Sequence, residues 1–229
     1  HSQGPFLELD LVQKSFRSLL DDQVPVLMGM ERDVQGRVWA GSYFGELHVY
    51  DPSTKVLNSI KLPETGPIYS MDLAAGGALW FGAGNQGLFR IDTTVESSRP
   101  ELVVGADLLG QDIFTQVAMN DRSEQTEVWL SSLENGLYRW RDQQLDQVLA
   151  PALLDGPVLT QVAPVGDGSV VIVTTSGAAR FETATGRLET YSSLDGFTAI
   201  EGKIHANHRD NETLWIGTTN GITAMDLSI

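Results

Sequence analysis

The sequence predicts an all-β protein: a β-propeller of four-stranded antiparallel blades, about five blades in 229 residues. Three observations predict it. First, one phrase recurs, as RVWAGSYFGEL at 37–47, ALWFGAGNQGLF at 78–89, EVWLSSLENGLY at 127–138 and TLWIGTTNGI at 213–222. Second, its tryptophans keep a blade-length period. Trp39, Trp80 and Trp129 stand 41 and 49 residues apart, and Trp215 follows after 86 residues, room for one further copy, VVIVTTSGA at 170–178 with Val171 in the Trp place. Third, each copy is a series of short runs alternating apolar and polar residues, bounded by Gly, Pro, Asp and Asn. That is the pattern of antiparallel strands, and no run carries a convincing helical period.

The elements follow in order. Residues 1–24 hold the third and fourth strands of a blade, because Phe6-Leu7-Glu8-Leu9-Asp10 has the apolar-then-Asp ending of Leu47-His48-Val49-Tyr50-Asp51. Leu7 to Leu20 fits strands better than a helix. Residues 25–66 form a full blade: a first strand over Pro25 to Glu31, a turn Asp33-Val34-Gln35-Gly36, then strands over Arg37 to Ser42, Glu46 to Tyr50 and Lys55 to Leu62. Residues 67–111, 112–156 and 157–202 repeat this grammar, and 203–229 supply the first three strands of a last blade. Two architectures are open. The N-terminal fourth strand completes the last copy and closes a five-blade ring, or the chain is part of a larger ring whose open blade edges another chain or copy covers.

Trp39, Trp80, Trp129 and Trp215 belong between blades, where a large ring buries much apolar area. Gly41, Gly82 and Gly217 permit close approach or a strand irregularity, while Gly45, Gly87, Gly136, Gly177 and Gly221 allow a positive φ at the turn into the third strand. Asp33 to Gly36, Gly76-Gly77, Asp167-Gly168 and Asp210-Asn211 close the first hairpin of a blade. A calcium role for these Asp and Asn residues is disfavoured, since no loop has dense D-x-D-x-D spacing.

Fifteen basic residues against thirty acidic ones give a formal charge of −15, which repels a phosphate backbone and argues against nucleic acid as a partner. The one candidate basic patch combines Arg139, Arg141, Arg180 and Lys203. Cysteine is absent, so no disulfide, thiolate metal site or Cys nucleophile exists. The longest apolar candidate, Val170 to Val173, falls far short of a membrane span, so membrane attachment is expected only through segments outside this chain. The opening His1-Ser2-Gln3-Gly4, without Met, reads as a processed piece. Gly82 to Gly87 spells G-x-G-x-x-G but opens no helix, so it is not a dinucleotide fingerprint.

LWIGTTNGI, LWFGAGNQGLFRID and VWLSSLENGLYRW resemble the two-component-regulator propeller repeat, in which a D-x-x-G turn precedes L-W-x-G-T and then N-G-L-x-x-[YF]-D. Tyr191-Ser192-Ser193-Leu194-Asp195-Gly196-Phe197, with Glu201 and Ala206, resembles the segment before that family's closing blade. The copy around Val171 departs from the pattern, lacking both Trp and the third-strand aromatic and Asp. The resemblance implies a periplasmic sensor region of a bacterial hybrid histidine kinase or diguanylate cyclase, with a ring that is usually seven-bladed.

Blade-connecting loops and the turns between second and third strands share one face of a propeller, the default binding face. Candidate ligand contacts there and at the channel are Tyr43, Tyr69, Asn85, Gln86, Glu134, Asn135, Glu201, His205 and Asn220. The first strands line the channel, with Met28, Tyr69, Thr115, Thr160 and His205 at one level. Glu31, Asp72, Ala118, Ala163 and His208 lie three residues on and share the channel only if the strands twist or end there. The expected function is a non-catalytic, extracytoplasmic sensor propeller that binds a small molecule, an oligosaccharide or a protein and forms a possible homodimer, with no cofactor. Two alternatives stand beside it. One is a protein-interaction scaffold using an acidic outer face or an open blade edge. The other is a metal-dependent lactonase or lyase built on Glu31 and Asp72 with His205 or His208, disfavoured because Ala118 and Ala163 occupy the corresponding places.

Overall fold

A computed structural model of the chain describes residues 4–62, 66–109, 112–120, 125–154, 158–165, 168–175, 177–197, 202–210 and 212–228, with backbone alone for 4–5, 19–24, 193 and 203–207. An N-terminal hairpin, β1 (Gly4–Asp10) and β2 (Ser15–Val24), precedes the blades. The first blade is β3 (Leu27–Arg32), β4 (Val38–Ser42), β5 (Glu46–Asp51) and β6 (Val56–Lys61). The second is β7 (Met71–Leu73), β8 (Ala78–Ala83), β9 (Gly87–Asp92) and β10 (Glu101–Gly105). The third is β11 (Phe114–Met119), β12 (Glu127–Ser132), β13 (Leu137–Arg141) and β14 (Gln144–Leu149). The fourth is β15 (Leu159–Val165), β16 (Ser169–Thr174), β17 (Gly177–Glu182) and β18 (Leu188–Tyr191). The fifth is β19 (Gly202–Asp210), β20 (Thr213–Thr218) and β21 (Gly221–Asp226). Each blade is an antiparallel meander in chain order: a five-bladed propeller with four four-stranded blades and a three-stranded fifth. Brief helical turns at Ala106–Leu109, Pro151–Leu153 and Ser193–Asp195, which the alternation did not signal, lie in the connections between blades.

The turns at Asp33 to Gly36 and Gly76-Gly77 form where the sequence places them, while Asp167 and Asn211 lie outside the described residues. At the first hairpin, Asp33 N–H donates to Arg37 O and Gly36 N–H to Asp33 O, both near 3 Å. The buried Asp33 carboxylate then accepts from Gln35 N, Arg37 N, Arg37 Nε and Trp39 Nε1 at 2.7–3.0 Å. The second turn needs its glycine twice over. Gly45, Gly87, Gly136, Gly177 and Gly221 all have positive φ. A Cβ on Gly87 would also stand 1.9 Å from Val104 O, and one on Gly136 2.2 Å from Leu149 O, because the fourth strand crosses directly over the turn.

The core lies between blades. Trp39 packs with Ile68, Met71, Leu79 and Phe81 of the second blade, Trp80 with Phe114, Val117 and Val128 of the third, and Trp129 with Leu159, Val170 and Ile172 of the fourth. Val171, in the Trp place, meets Leu214 and Ile216 of the fifth. The Trp face of each blade therefore meets the opposite face of the next. Gly41 and Gly82 let neighbours close up: an added Cβ would lie 2.4 Å from Ile68 and 2.9 Å from Phe114, each leading into the next blade.

The ends of the array differ. Each inner strand packs on the next, β3 on β7, β7 on β11, β11 on β15 and β15 on β19, and among the described residues no comparable contact joins β19 to β3. Among the described residues β1 and β2 pair with each other and not with the fifth blade, so the hairpin does not complete it. Phe6 instead sits edge-on to Tyr50 at 5.5 Å, covering the first-blade face that carries Val38, Ala40, His48 and Leu57.

Candidate functional site

The inner strands of all five blades enclose a cavity of about 640 Å³ along the propeller axis. Met28, Tyr69, Thr115 and Thr160 line it, and so do Glu31, Asp72, Ala118, Ala163 and His208. Simple alternation would turn residues three apart to opposite sides. The inner strands of the first, third and fourth blades escape it by carrying an extra residue, with register shifts between Leu27 and Met30, Phe114 and Gln116, and Leu159 and Gln161, whereas β7 pairs regularly with β8 over Met71–Leu73. An added residue restores the same facing for i and i+3. The β19 backbone is also irregular between Gly202 and Asn207, whereas the His205 side chain lies outside the described residues.

Much of the polar lining is committed to holding blades together. Ser70 Oγ accepts from Val117 N at 3.1 Å, and Asp72 Oδ2 accepts from Met119 N at 2.7 Å. One blade on, Thr115 Oγ1 donates to Leu159 O at 2.9 Å and Gln116 Oε1 accepts from Val162 N at 2.7 Å. Adjacent inner strands do not pair by backbone, so side chains of one satisfy the backbone of the next. These joints account for Ser70, Asp72, Thr115 and Gln116 along the channel. Thr160, fully buried, donates to Val173 O within its own blade.

At one end of the channel the second turns and the blade connections meet. Tyr43 N donates to Val26 O, Gly84 N to Pro67 O, Leu133 N to Ile113 O and Thr175 N to Val158 O, a bond repeated in the first four blades. On this mouth Tyr43 and Phe44 are 49% and 53% exposed and pack edge-to-face with centroids 5.5 Å apart. Tyr69 lies beside them: burial pushes its phenol pKa up, and the nearby Tyr43 adds to the shift. Asn85 and Gln86 are half-buried in the turn of the second blade, while Glu134 and Asn220 are exposed in the turns of the third and fifth. Glu201 lies outside the described residues.

Asn135 has a structural partner. Its Nδ2 donates to Asp112 Oδ2 at 2.9 Å, and the buried Asp112 also accepts from Ser132 Oγ, Ile113 N and Glu134 N. Asp112 was missed because it precedes the repeat phrase; the signal was an acidic residue just before an inner strand. Asp33 likewise has four donors from its own hairpin, which leaves its turn built without a cation. The arginines of the candidate basic patch have local partners: Arg139 reaches Glu127 and Asp146 at 3.9 Å and stacks on Trp129, Arg141 lies 3.7 Å from Asp142, and Arg180 Nε donates to Ser169 Oγ. The Lys203 side chain lies outside the described residues. Among the described residues, no group of three His, Asp or Glu side chains is arranged to hold a metal.

No family model and no curated protein matches the chain. Solved structures do. The extracellular domain of BT4673 from B. thetaiotaomicron, described as a one-component or hybrid two-component system, superposes with TM-score 0.72 at 19% identity over 92% of this chain. The chain spans 28% of the length of that solved chain, itself an extracellular domain. A calcium-binding regucalcin of Agrobacterium tumefaciens gives 0.65 at 18% identity, covering 91% of this chain and 73% of its own. A gluconolactonase of Xanthomonas campestris gives 0.63 at 16% identity, covering 92% and 75%. These likenesses establish the propeller fold, shared by extracellular sensor domains and by propeller proteins of other kinds.

Proposed function

We propose that the chain is a non-catalytic ligand-binding propeller of an extracytoplasmic bacterial sensor, capturing an oligosaccharide or similar small molecule at the channel mouth. The observation that carries this reading is the exposed pair Tyr43 and Phe44 beside Tyr69. Aromatic faces held at a concave mouth suit ligands with flat C–H faces, and Asn85, Gln86 and Glu134 on the same end offer hydrogen bonds to hydroxyls. The likeness to a two-component extracellular domain and the repeat phrase support the sensor role and its location outside the cytoplasm. Non-catalytic binding is favoured over lactonase chemistry because the Asp72 carboxylate serves Met119 N and alanines stand at the matching level of the third and fourth blades.

Calorimetry against a panel of neutral and acidic oligosaccharides tests it. A saturable ligand is expected, with affinity reduced about tenfold or more in a Tyr43→Ala, Phe44→Ala double variant. Because both rings are exposed, thermal stability should barely change. Absence of any binder, or full affinity in the double variant, overturns the assignment. Measurable lactone hydrolysis by the pure protein would favour the enzymatic reading instead.

A further inference from the structure

The end of the propeller where second turns meet blade connections is written in one sign of charge. The segments between blades, 62–70, 106–113, 150–158 and 192–201, carry Glu64, Asp107, Asp112, Asp155, Asp195 and Glu201, and the second turns add Glu134. No lysine or arginine occurs in these segments or turns; Lys61 and Lys203 belong to the adjoining strands β6 and β19. The third blade concentrates the charge. Asp107 and Glu134 are exposed there, and neither carboxylate has a hydrogen-bond or ion-pair partner among the described residues. Asp112, 3% exposed, ties the connection to the turn by accepting from Ser132 Oγ, Ile113 N, Glu134 N and Asn135 Nδ2. All four donors are uncharged, so no cation cancels it. Burial first, and then the Asp112 charge, push the Tyr138 phenol pKa up. This carboxylate is no part of the repeat: the residue before the acceptor of the recurring turn bond is Pro25, Gly66 and Pro157 in the first, second and fourth blades and Asp112 in the third.

We infer that the sugar captured at this mouth bears an ammonium group, as an amino sugar does, and that uronate-bearing sugars are turned away. The inference rests on the mouth being the ligand site. An extended ligand lying across it meets the exposed rings of Tyr43 and Phe44 on the first-blade side and the carboxylates of Glu134 and Asp107 on the third-blade side. An ammonium is attracted by both, through the electron-rich ring faces and through opposite charge. A uronate finds no cation on the connections or second turns to receive it and is repelled by the same carboxylates. The buried Asp112 adds to the discrimination, because a charge enclosed by protein is screened less by salt than an exposed one. Asp112 also holds the turn that carries Glu134, so the third blade supplies both the charge and its placement.

The test uses the whole chain and three sugar probes of equal length: a glucosamine tetramer, its neutral N-acetylated counterpart and a galacturonic acid tetramer. Calorimetry at slightly acid pH, where the sugar amine is protonated, should show the glucosamine tetramer binding about tenfold or more tighter than the N-acetylated one, with the uronate weakest. The preference for the amine should shrink with added salt and in a Glu134→Gln, Asp107→Asn double variant. Both side chains are exposed and unpartnered, so the thermal stability of that variant should match the parent chain. Equal or tighter binding of the neutral or uronate tetramer overturns the inference while leaving the mouth as a sugar site. An undiminished amine preference in the double variant overturns it as well. So does equally tight binding of tetralysine, since charge alone would then be recognised. If none of the three sugars binds, the inference fails, and the broader oligosaccharide panel decides separately whether the mouth binds sugar.

Discussion

Trp80 and Trp215 occupy the same position of the same repeat, on the second strand of their blades, and their surroundings could hardly differ more. Trp80 is 2% exposed, tilted against Trp140 at 4.8 Å with Arg90 5.9 Å from its ring; Trp129 is likewise 2% exposed. Trp215 is 44% exposed and pairs with Ala224 where Trp80 and Trp129 pair with arginine. Local sequence secures the strand and the turn, whereas burial of the tryptophan comes from the blade in front. Motif strength and energetic weight are separate properties of a repeat.

The largest expected effect tests that separation directly. Trp80→Ala should cost about 3–5 kcal/mol and lower Tm by on the order of 10 °C, while Trp215→Ala should stay within about 1 kcal/mol. Calorimetric or urea unfolding measures both, and equal losses would mean that Trp215 is covered in solution. Next in size is Asp33→Ala, expected to cost about 2–3 kcal/mol by leaving Trp39 Nε1 and the turn amides without their acceptor. Trp80 Nε1 and Trp129 Nε1 already lack an acceptor, so the second and third blades provide the natural control.

Two smaller predictions concern pH. Burial lowers the His48 pKa below its ordinary 6.5, with Glu46 opposing the shift. The native state therefore favours neutral His48: its contribution is complete above pH 6.5 and is lost as pH falls below that value toward the folded pKa. Urea midpoints measured at about pH 7.5 and about pH 5.5 should diverge less in His48→Gln than in the parent chain. The smallest effect is at Asp92, whose carboxylate accepts from Thr94 N and Thr94 Oγ1, holding its pKa below 3.8. Asp51 with Ser53 and Asp226 with Ser228 repeat the bond. Stability from such a turn is present above pH 3.8 and fades as pH falls toward the lowered value, so Asp92→Asn should slightly blunt acid sensitivity in a circular-dichroism titration.

How far the molecule was legible follows from what each feature depends on. The blades were legible because alternation and turn glycines are local, down to the hidden copy at Val171. The fate of the hairpin was not, since pairing with β21 or packing on Tyr50 depends on contacts remote in sequence. Extra residues in the inner strands leave no compositional trace, so the reading left the Glu31 and Asp72 level conditional on an irregularity that only the register reveals. Of the candidate site residues, Tyr43 and Tyr69 meet at the mouth, whereas Asn135 is bound to Asp112, a residue outside the repeat phrase. The variable letters lie at the channel mouth, but they do not separate exposed side chains such as Tyr43 and Glu134 from turn supports such as Asn135.

The forward-facing joints between blades have a genetic consequence. In the second and third blades a side chain of the inner strand meets the backbone of the following one, as Asp72 meets Met119 and Gln116 meets Val162. Because the receiving partner is main chain, it is the same whatever residues a duplicated blade carries. An in-frame duplication that copies a blade with its donor or acceptor side chain therefore brings a working hinge with it. Such an array can gain or lose whole cassettes while its mouth residues diverge, with no new surface having to be invented at the seam.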